Sequence, residues 1–186
     1  MEERFVDVAI LGSGTAGLNA MAQVRRAGKS FILINGGEPG TTCARVGCMP
    51  SKAVIQVAED FHRRGAFERA GIEGGDCLSV DVPDALEHVR HLRDVFVDQV
   101  LATSIDQMDE EQFIAENAFF IEPTLLQVGD RQVRAEKIIL ATGSKPVVPR
   151  AWEKFGERIL TTDTFFEQDE LPARMAGLPP RDTAAF

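Results

Sequence analysis

The 186-residue chain contains no apolar run approaching the length of a bilayer, fewer basic than acidic residues, and only three histidines and three cysteines. A membrane-spanning helix needs about 20 consecutive apolar residues, so no span is predicted. With 20 Lys and Arg against 29 Asp and Glu, the formal net charge is −9, the wrong sign for a nucleic-acid partner. The opening Met-Glu-Glu-Arg has no basic region and apolar core of the secretory kind, and a cytoplasmic location is expected. No internal repeat is visible. A zinc centre usually takes four Cys or His ligands; beyond Cys43 and Cys48 the nearest candidates are His62 and Cys77, with no second paired spacing, so no metal site is expected. His88 and His91 stand three apart among charged residues and read as a solvated helix face. Cys77 reads as a spare, half-buried small residue.

What the chain does contain is concentrated in Gly40 to Lys52, G-T-T-C-A-R-V-G-C-M-P-S-K, where two of the three cysteines lie five positions apart. A disulfide across so short a loop removes little chain entropy, which argues against a stabilising role. In a reducing compartment a disulfide is more often catalytic than structural. Gly40, Thr41 and Thr42 can start a helix, and Pro50 is expected to loosen the turn after Cys48. A thiol near a helix N-terminus meets the positive end of the dipole, which favours its reactive form; Cys43 is placed there and Cys48 deeper along the same helix. Arg45 adds to that field. Two inert, buried cysteines remain the competing reading.

Upstream, Phe5 to Leu11 is a short apolar run suited to a strand buried on both faces. It stops at Gly12-Ser13-Gly14-Thr15-Ala16-Gly17, and a helical segment, Leu18 to Ala27, leads to a second apolar run, Phe31 to Ile34. Strand, G-x-G-x-x-G, helix, strand is the dinucleotide-binding pattern. Gly12 makes the tight turn, Gly14 lets the backbone approach a pyrophosphate on the helix N-terminus, and Gly17 allows close packing. The second strand ends in Asn35, where an acidic side chain would bind the ribose; Asn lacks the charge-assisted strength of a carboxylate.

These two stretches resemble the N-terminal flavin-binding region of the pyridine nucleotide-disulfide oxidoreductases, the family of dihydrolipoamide dehydrogenase, glutathione reductase and mercuric reductase. The cysteine stretch is similar to that family's G-G-T-C-x-x-x-G-C-x-P-S-K signature, departing at Thr41, and its Ser51-Lys52 ending favours the dihydrolipoamide or mercuric reductase side. Ile138 to Pro149 resembles the A-T-G strand near the flavin, and Thr162 to Phe166 with Glu170-Leu171-Pro172 resembles the lead into a nicotinamide domain. The resemblance implies an α/β fold, a Rossmann-like three-layer FAD-binding domain of parallel sheet, helices and β-meander, incomplete at the C-terminus. It implies FAD contacts from Gly12, Gly14, Thr15, Ala16, Gly17, Asn35, Gly36, Thr42, Lys52, Ala141, Thr142 and Gly143. It also implies a Cys43–Cys48 redox disulfide, with Cys43 the interchange thiol, Cys48 facing the flavin and Lys52 at the flavin's edge. A lipoamide-like dithiol substrate is implied, with NAD(P) and a homodimer only in a full-length form.

The remaining chain is expected to hold a helix from the cysteines to about Gly65, with Val54, Val57, Ala58 and Phe61 as its apolar stripe. A long helix is expected over Val82 to Met108, capped by Asp81 or Asp84. Phe113 to Ile121, Thr124 to Val128 and Arg131 to Ala135 read as antiparallel strands, with a turn at Gly129-Asp130, before a separate strand, Lys137 to Ala141. Residues 1–150 are thus expected to form the FAD-binding domain, 151–172 a connector toward a nicotinamide domain, and 173–186 an aberrant or truncated tail. That tail shows no second glycine fingerprint, and its Pro179-Pro180 pair excludes a buried strand. Two functions follow: a dihydrolipoamide dehydrogenase-like flavoenzyme, or a catalytically inactive flavin-binding fragment.

Overall fold

The structure, a computed structural model, describes residues 3–177. The Pro179-Pro180 pair and the rest of the tail from 178 onward lie outside the described residues, as do residues 1 and 2. Among the described residues no helix is long and apolar enough to cross a membrane. The chain divides into two compact units, one running to Arg45 and resuming over Asp94–Ser144, the other comprising Val46–Arg93 and the segment from Lys145.

The first unit is built on a six-stranded sheet. Its strands are β1 (Glu3–Leu11), β2 (Phe31–Ile34), β3 (Phe113–Ile114), β4 (Ala118–Glu122), β5 (Leu125–Val128) and β6 (Arg131–Leu140), in the order β3-β2-β1-β6-β5-β4. β3, β2, β1 and β6 run parallel, while β5 pairs antiparallel with β6 and β4 antiparallel with β5. All four residues of β2 are buried, as a parallel strand covered on both faces requires. On one face Ala9, Leu11, Ile32 and Ile34 pack with Leu126, Val128, Val133 and Ala135. On the other, helix α1 (Thr15–Arg26) lays Leu18, Met21 and Val24 over Ile10, Phe31 and Leu33. The i, i+3, i+6 spacing of those three side chains is the apolar stripe that holds a short helix to a sheet.

Pairing changes partner within segments that the period-two pattern presents as single strands. Phe113 to Ile121 splits: Phe113–Ile114 joins β2 in parallel, and Ala118–Glu122 turns away to pair with β5. Conversely, the expected Arg131–Ala135 and Lys137–Ala141 strands are one, and β6 pairs with β5 through its first half and with β1 along most of its length. The Gly129-Asp130 turn is present, with Gly129 at φ +55°. At the sheet's outer edge, β4 exposes Phe119, Phe120 and Ile121 together.

Helices depart from expectation for local reasons. Helix α4 (Val82–Ala102) starts at Asp81, whose carboxylate accepts the Asp84 N–H at 3.2 Å. It ends before Met108 because Ser104 leaves helical angles, at φ −137°, ψ −83°; the Thr103 and Ser104 hydroxyls bond back to the carbonyls of Gln99 and Val100 in this last turn, which loosens it. The single cysteine helix is two: α2 (Thr42–Arg45) and α3 (Cys48–His62), separated at Val46-Gly47. Gly47 adopts φ −130°, ψ −116°, which no helix continues through. Pro50 therefore falls in the first turn of α3, where its missing N–H leaves no bond unmade.

In the second unit, Val54, Val57, Ala58 and Phe61 of α3 face Ala85, Leu86 and Val89 of α4, enclosing with Val80, Val82 and Leu171 an apolar cavity of about 230 Å³. After the short helix α5 (Thr162–Phe165), Phe166 is buried against Ala53 and Val89. Arg90 donates to the Gln168 carbonyl at 2.8 Å, and Arg93 pairs with Glu167.

At the amino end of β2, Asp7 accepts the Ser30 N–H and hydroxyl, both at 2.7 Å. Those bonds, the hydroxyl first, hold the Asp7 carboxyl below its ordinary 3.8. A depressed folded-state value stabilises the fold above the unfolded value and is lost as pH falls through the folded one. Asp7→Asn is therefore expected to flatten the part of the stability–pH curve below about pH 4, measured by urea unfolding across pH. Leu126→Ala, removing a side chain with no exposure, is expected to cost about 2 to 5 kcal/mol in the same assay.

Candidate functional site

In an open α/β sheet, ligands sit beyond the carboxyl ends of the parallel strands, where neighbours of one strand lead off in opposite directions. Here that strand is β1, flanked by β2 on one side and β6 on the other. Three turns follow the three strands: Gly12-Ser13-Gly14, Asn35-Gly36-Gly37 and Ala141-Thr142-Gly143. The ladders run one step past the strands, with Gly12 N–H to the Ile34 carbonyl and Ala141 N–H to the Leu11 carbonyl, both 2.8 Å. The turns are thereby tied to one another before any ligand is considered.

Each glycine of the fingerprint has a separate cause. Gly12 has φ +106°, and a Cβ there would lie 2.3 Å from the Ala141 carbonyl oxygen. A Cβ on Gly17 would lie 1.8 Å from the Gly12 carbonyl oxygen, so close packing of helix on turn forbids it. A Cβ on Gly14 would meet nothing within 4 Å. Gly14 is the N-cap of α1 with no side-chain cap, Thr15 and Ala16 are exposed, and the first turn carries no acidic residue. An uncapped helix start with open space before it and no competing carboxylate is suited to a pyrophosphate.

Two further residues belong to this region, and sequence reasoning did not assign them. Ser13 is buried, yet its hydroxyl has no hydrogen-bond partner within the protein; its place inside the fingerprint was a usable signal. Asn117, between β3 and β4, closes over Gly36, where a Cβ would fall 2.1 Å from its side-chain oxygen. No sequence signal marks Asn117, because its position depends on β3 docking beside β2. Asn35, half-buried, accepts the Ser13 N–H at 3.2 Å and donates to the Gly37 carbonyl at 2.6 Å. The first unit thus brings together Gly12, Gly14, Gly17, Asn35, Gly36 and Ala141. Thr142 and Gly143 are exposed just beyond β6, and Gly143 has φ +73°.

The cysteine stretch is divided between the units. In the first, Thr41 caps α2 by accepting the Ala44 N–H at 3.1 Å, which gives the departure from Gly at that position a local purpose. Exposed Thr42 opens α2, half-buried Cys43 follows it, and Arg45 donates to the Glu38 carbonyl at 3.2 Å. In the second unit exposed Cys48 is the first residue of the 15-residue α3, not a position deep within a helix. Lys52 lies one turn further and is exposed. His88 and His91 are exposed on α4, and Cys77 is exposed too. Among the described residues no group of three His, Cys, Asp or Glu is arranged to hold a metal.

The fold and the glycine turn define a dinucleotide-binding α/β protein with a C-x4-C pair. The family model for pyridine nucleotide-disulphide oxidoreductases matches residues 6–177, and the chain belongs to that family, whose cofactor is FAD. Mercuric reductase from Streptomyces lividans is 31% identical over 178 residues, covering 91% of this chain and 36% of that protein. Dihydrolipoyl dehydrogenase from Bacillus subtilis is 26% identical, covering 89% and 37%. A solved structure of the HOCl-induced flavoprotein disulfide reductase RclA from Escherichia coli, a mutant in its Cu(II) complex, superposes with a TM-score of 0.70 at 20% identity, over 91% of this chain and 36% of that one. The chain spans about a third of the length of the curated relatives it matches. The uncapped α1, the open face at Gly14 and the unpartnered Ser13 hydroxyl fit the pyrophosphate of FAD.

The glycines separate packing from binding. Gly17→Ala is expected to lower the urea midpoint sharply, since backbone must move. Gly14→Ala, which meets nothing but places a poor residue at the N-cap, is expected to cost about 1 kcal/mol or less while weakening FAD binding, measured by flavin fluorescence. Ser13→Ala loses no internal bond and is expected to weaken FAD binding about threefold to tenfold at unchanged fold stability.

Proposed function

We propose that this chain is the flavin-binding part of a dithiol-disulfide oxidoreductase resembling dihydrolipoamide dehydrogenase. On this reading residues 1–150 bind FAD, 151–172 lead toward a nicotinamide-binding part, and 173–186 fall outside the domain. The observation that carries it is the turn at the switch point, Gly12 closed against Ala141 with open space at Gly14, in a chain that also holds the C-x4-C pair. FAD, when bound, supplies the two-electron carrier between nicotinamide and disulfide.

Gly14, Thr15, Ala16 and Gly17 present backbone N–H groups to the pyrophosphate. Gly36, Thr42, Ala141, Thr142 and Gly143 would hold the rest of the cofactor. Cys43 and Cys48 form the redox disulfide, with Cys43 exchanging with substrate. In that exchange the Cys43–Cys48 bond breaks, the substrate's sulfurs join, and two protons leave the substrate dithiol for the cysteines or solvent, so electrons and atoms balance. The exposed start of α3 at Cys48 accommodates negative charge, which suits the cysteine that faces the flavin. Lys52, exposed one turn on, would on this reading approach the flavin's edge.

A second reading is supported by the length relation. Because the chain spans about a third of its relatives, these residues alone bind flavin without turning over substrate: hydride transfer also needs a held nicotinamide. The full-length form is a cytoplasmic homodimer taking NAD(P) and a small, lipoamide-like dithiol. Mercuric reductases, also among the relatives, mark the alternative substrate.

The 186-residue chain is expected to take up FAD on reconstitution, with a flavin absorbance band after gel filtration; no retained flavin would sink the reading. Thiol titration after mild oxidation is expected to find Cys77 alone, whereas three reactive thiols would refute the disulfide. Dihydrolipoamide with NAD is expected to give no turnover, and substantial turnover would replace the fragment reading with that of a self-sufficient enzyme.

A further inference from the structure

We infer that Asn35 is a positioning residue that pre-forms the dinucleotide turn, rather than a ligand of the ribose. The inference rests on the flavin reading and concerns the role of one residue within it. At the carboxyl end of β2 the side-chain oxygen of Asn35 accepts the Ser13 N–H at 3.2 Å, and its amide nitrogen donates to the Gly37 carbonyl at 2.6 Å. One side chain thus bridges the turn after β1 to the turn after β2. Its own backbone N–H is held by the Ile114 carbonyl at 3.0 Å, so the bridge is anchored on β3 as well.

The chemistry of the bridge requires an amide. A carboxylate can accept from Ser13 but has no hydrogen to give to Gly37, and would set a negative oxygen against that carbonyl. An acidic residue at this position is therefore incompatible with the bond that the Gly37 carbonyl makes, and the departure from acid to amide is explained by the turn itself. Gly36 leaves no slack: a Cβ there would collide with Asn117, so the turn between Asn35 and Gly37 is walled on its other side. The N–H held by Asn35 belongs to Ser13, the residue whose buried hydroxyl lacks a protein partner. Fixing the backbone of Ser13 fixes that hydroxyl and the following Gly14 N-cap where the pyrophosphate sits, and a preformed turn spares the ligand the cost of ordering it.

The test uses the 186-residue chain unaltered and as Asn35→Ala and Asn35→Asp. In protein freed of flavin, Asn35→Ala is expected to raise amide hydrogen exchange at Ser13 about tenfold, more than at amides of the sheet core, with a small fall in the urea midpoint. Both variants are expected to bind FAD about tenfold more weakly by flavin fluorescence. A direct ribose contact predicts the opposite for Asn35→Asp, because a carboxylate accepts a hydroxyl more strongly than an amide does. Tighter FAD binding by Asn35→Asp overturns the inference, as does unchanged Ser13 exchange in Asn35→Ala. If the unaltered chain takes up no FAD, the flavin reading fails, while the exchange measurement still decides whether the bridge exists.

Discussion

Gly12 has no room for a side chain because the chain returning from β6 occupies it. The contact between Gly12 and Ala141 closes a parallel pairing in which Leu11 lies beside Leu140, and the switch point exists only once it has formed. The turns after β1 and β6 take their positions from this pairing, and the turn after β2 is tied to them through the Gly12 N–H on the Ile34 carbonyl. Contacts so distant in sequence cost loop entropy before they return packing energy. The core residues shared by β1, β5 and β6, Ala9, Leu126 and Val133, none of them exposed, are what offsets it.

The two ends of the sheet are built on different chemistry. At the amino end of β2, Asp7 is saturated by Ser30 and pairs with Lys29 at 3.4 Å. At the carboxyl end, the buried Ser13 hydroxyl is left without a partner within the protein. A buried polar group without a partner is costly, and the place of this one, where the ladders end and α1 begins uncapped, suits a surface that a ligand completes. Charge follows the same direction: Arg25 and Arg26 close α1, and its first turn has no acid.

The βαβ unit was legible because three signals agreed: an apolar run, glycines at fixed spacing, and a helical stripe. β2 was read with its observed bounds, Phe31–Ile34, as no residue in it has a choice of face. Strand partners were not legible. Alternation shows that Phe113 to Ile121 is extended but not that Ile114 lies beside β2 and Phe120 beside β5. The division of the cysteine helix depended on Gly47, whose backbone angles no composition reveals. At the site, Gly12, Gly14 and Gly17 carried their reasons in their spacing, whereas the engagement of Asn35 with Ser13 and Gly37 is a matter of two turns meeting. The acid-to-amide departure was visible in sequence; its cause was not.

The outer strand β4 has an open hydrogen-bonding edge and three neighbouring apolar side chains in water, Phe119, Phe120 and Ile121. Such an edge is a template on which another extended chain can add. Its pairing with β5 shifts register between Phe120 and Glu122, and a bulge twists the edge away from a flat partner. The irregularity therefore spoils the flat, regular border that strand addition needs, and a straightened β4 would present its apolar side chains along an unbroken ladder.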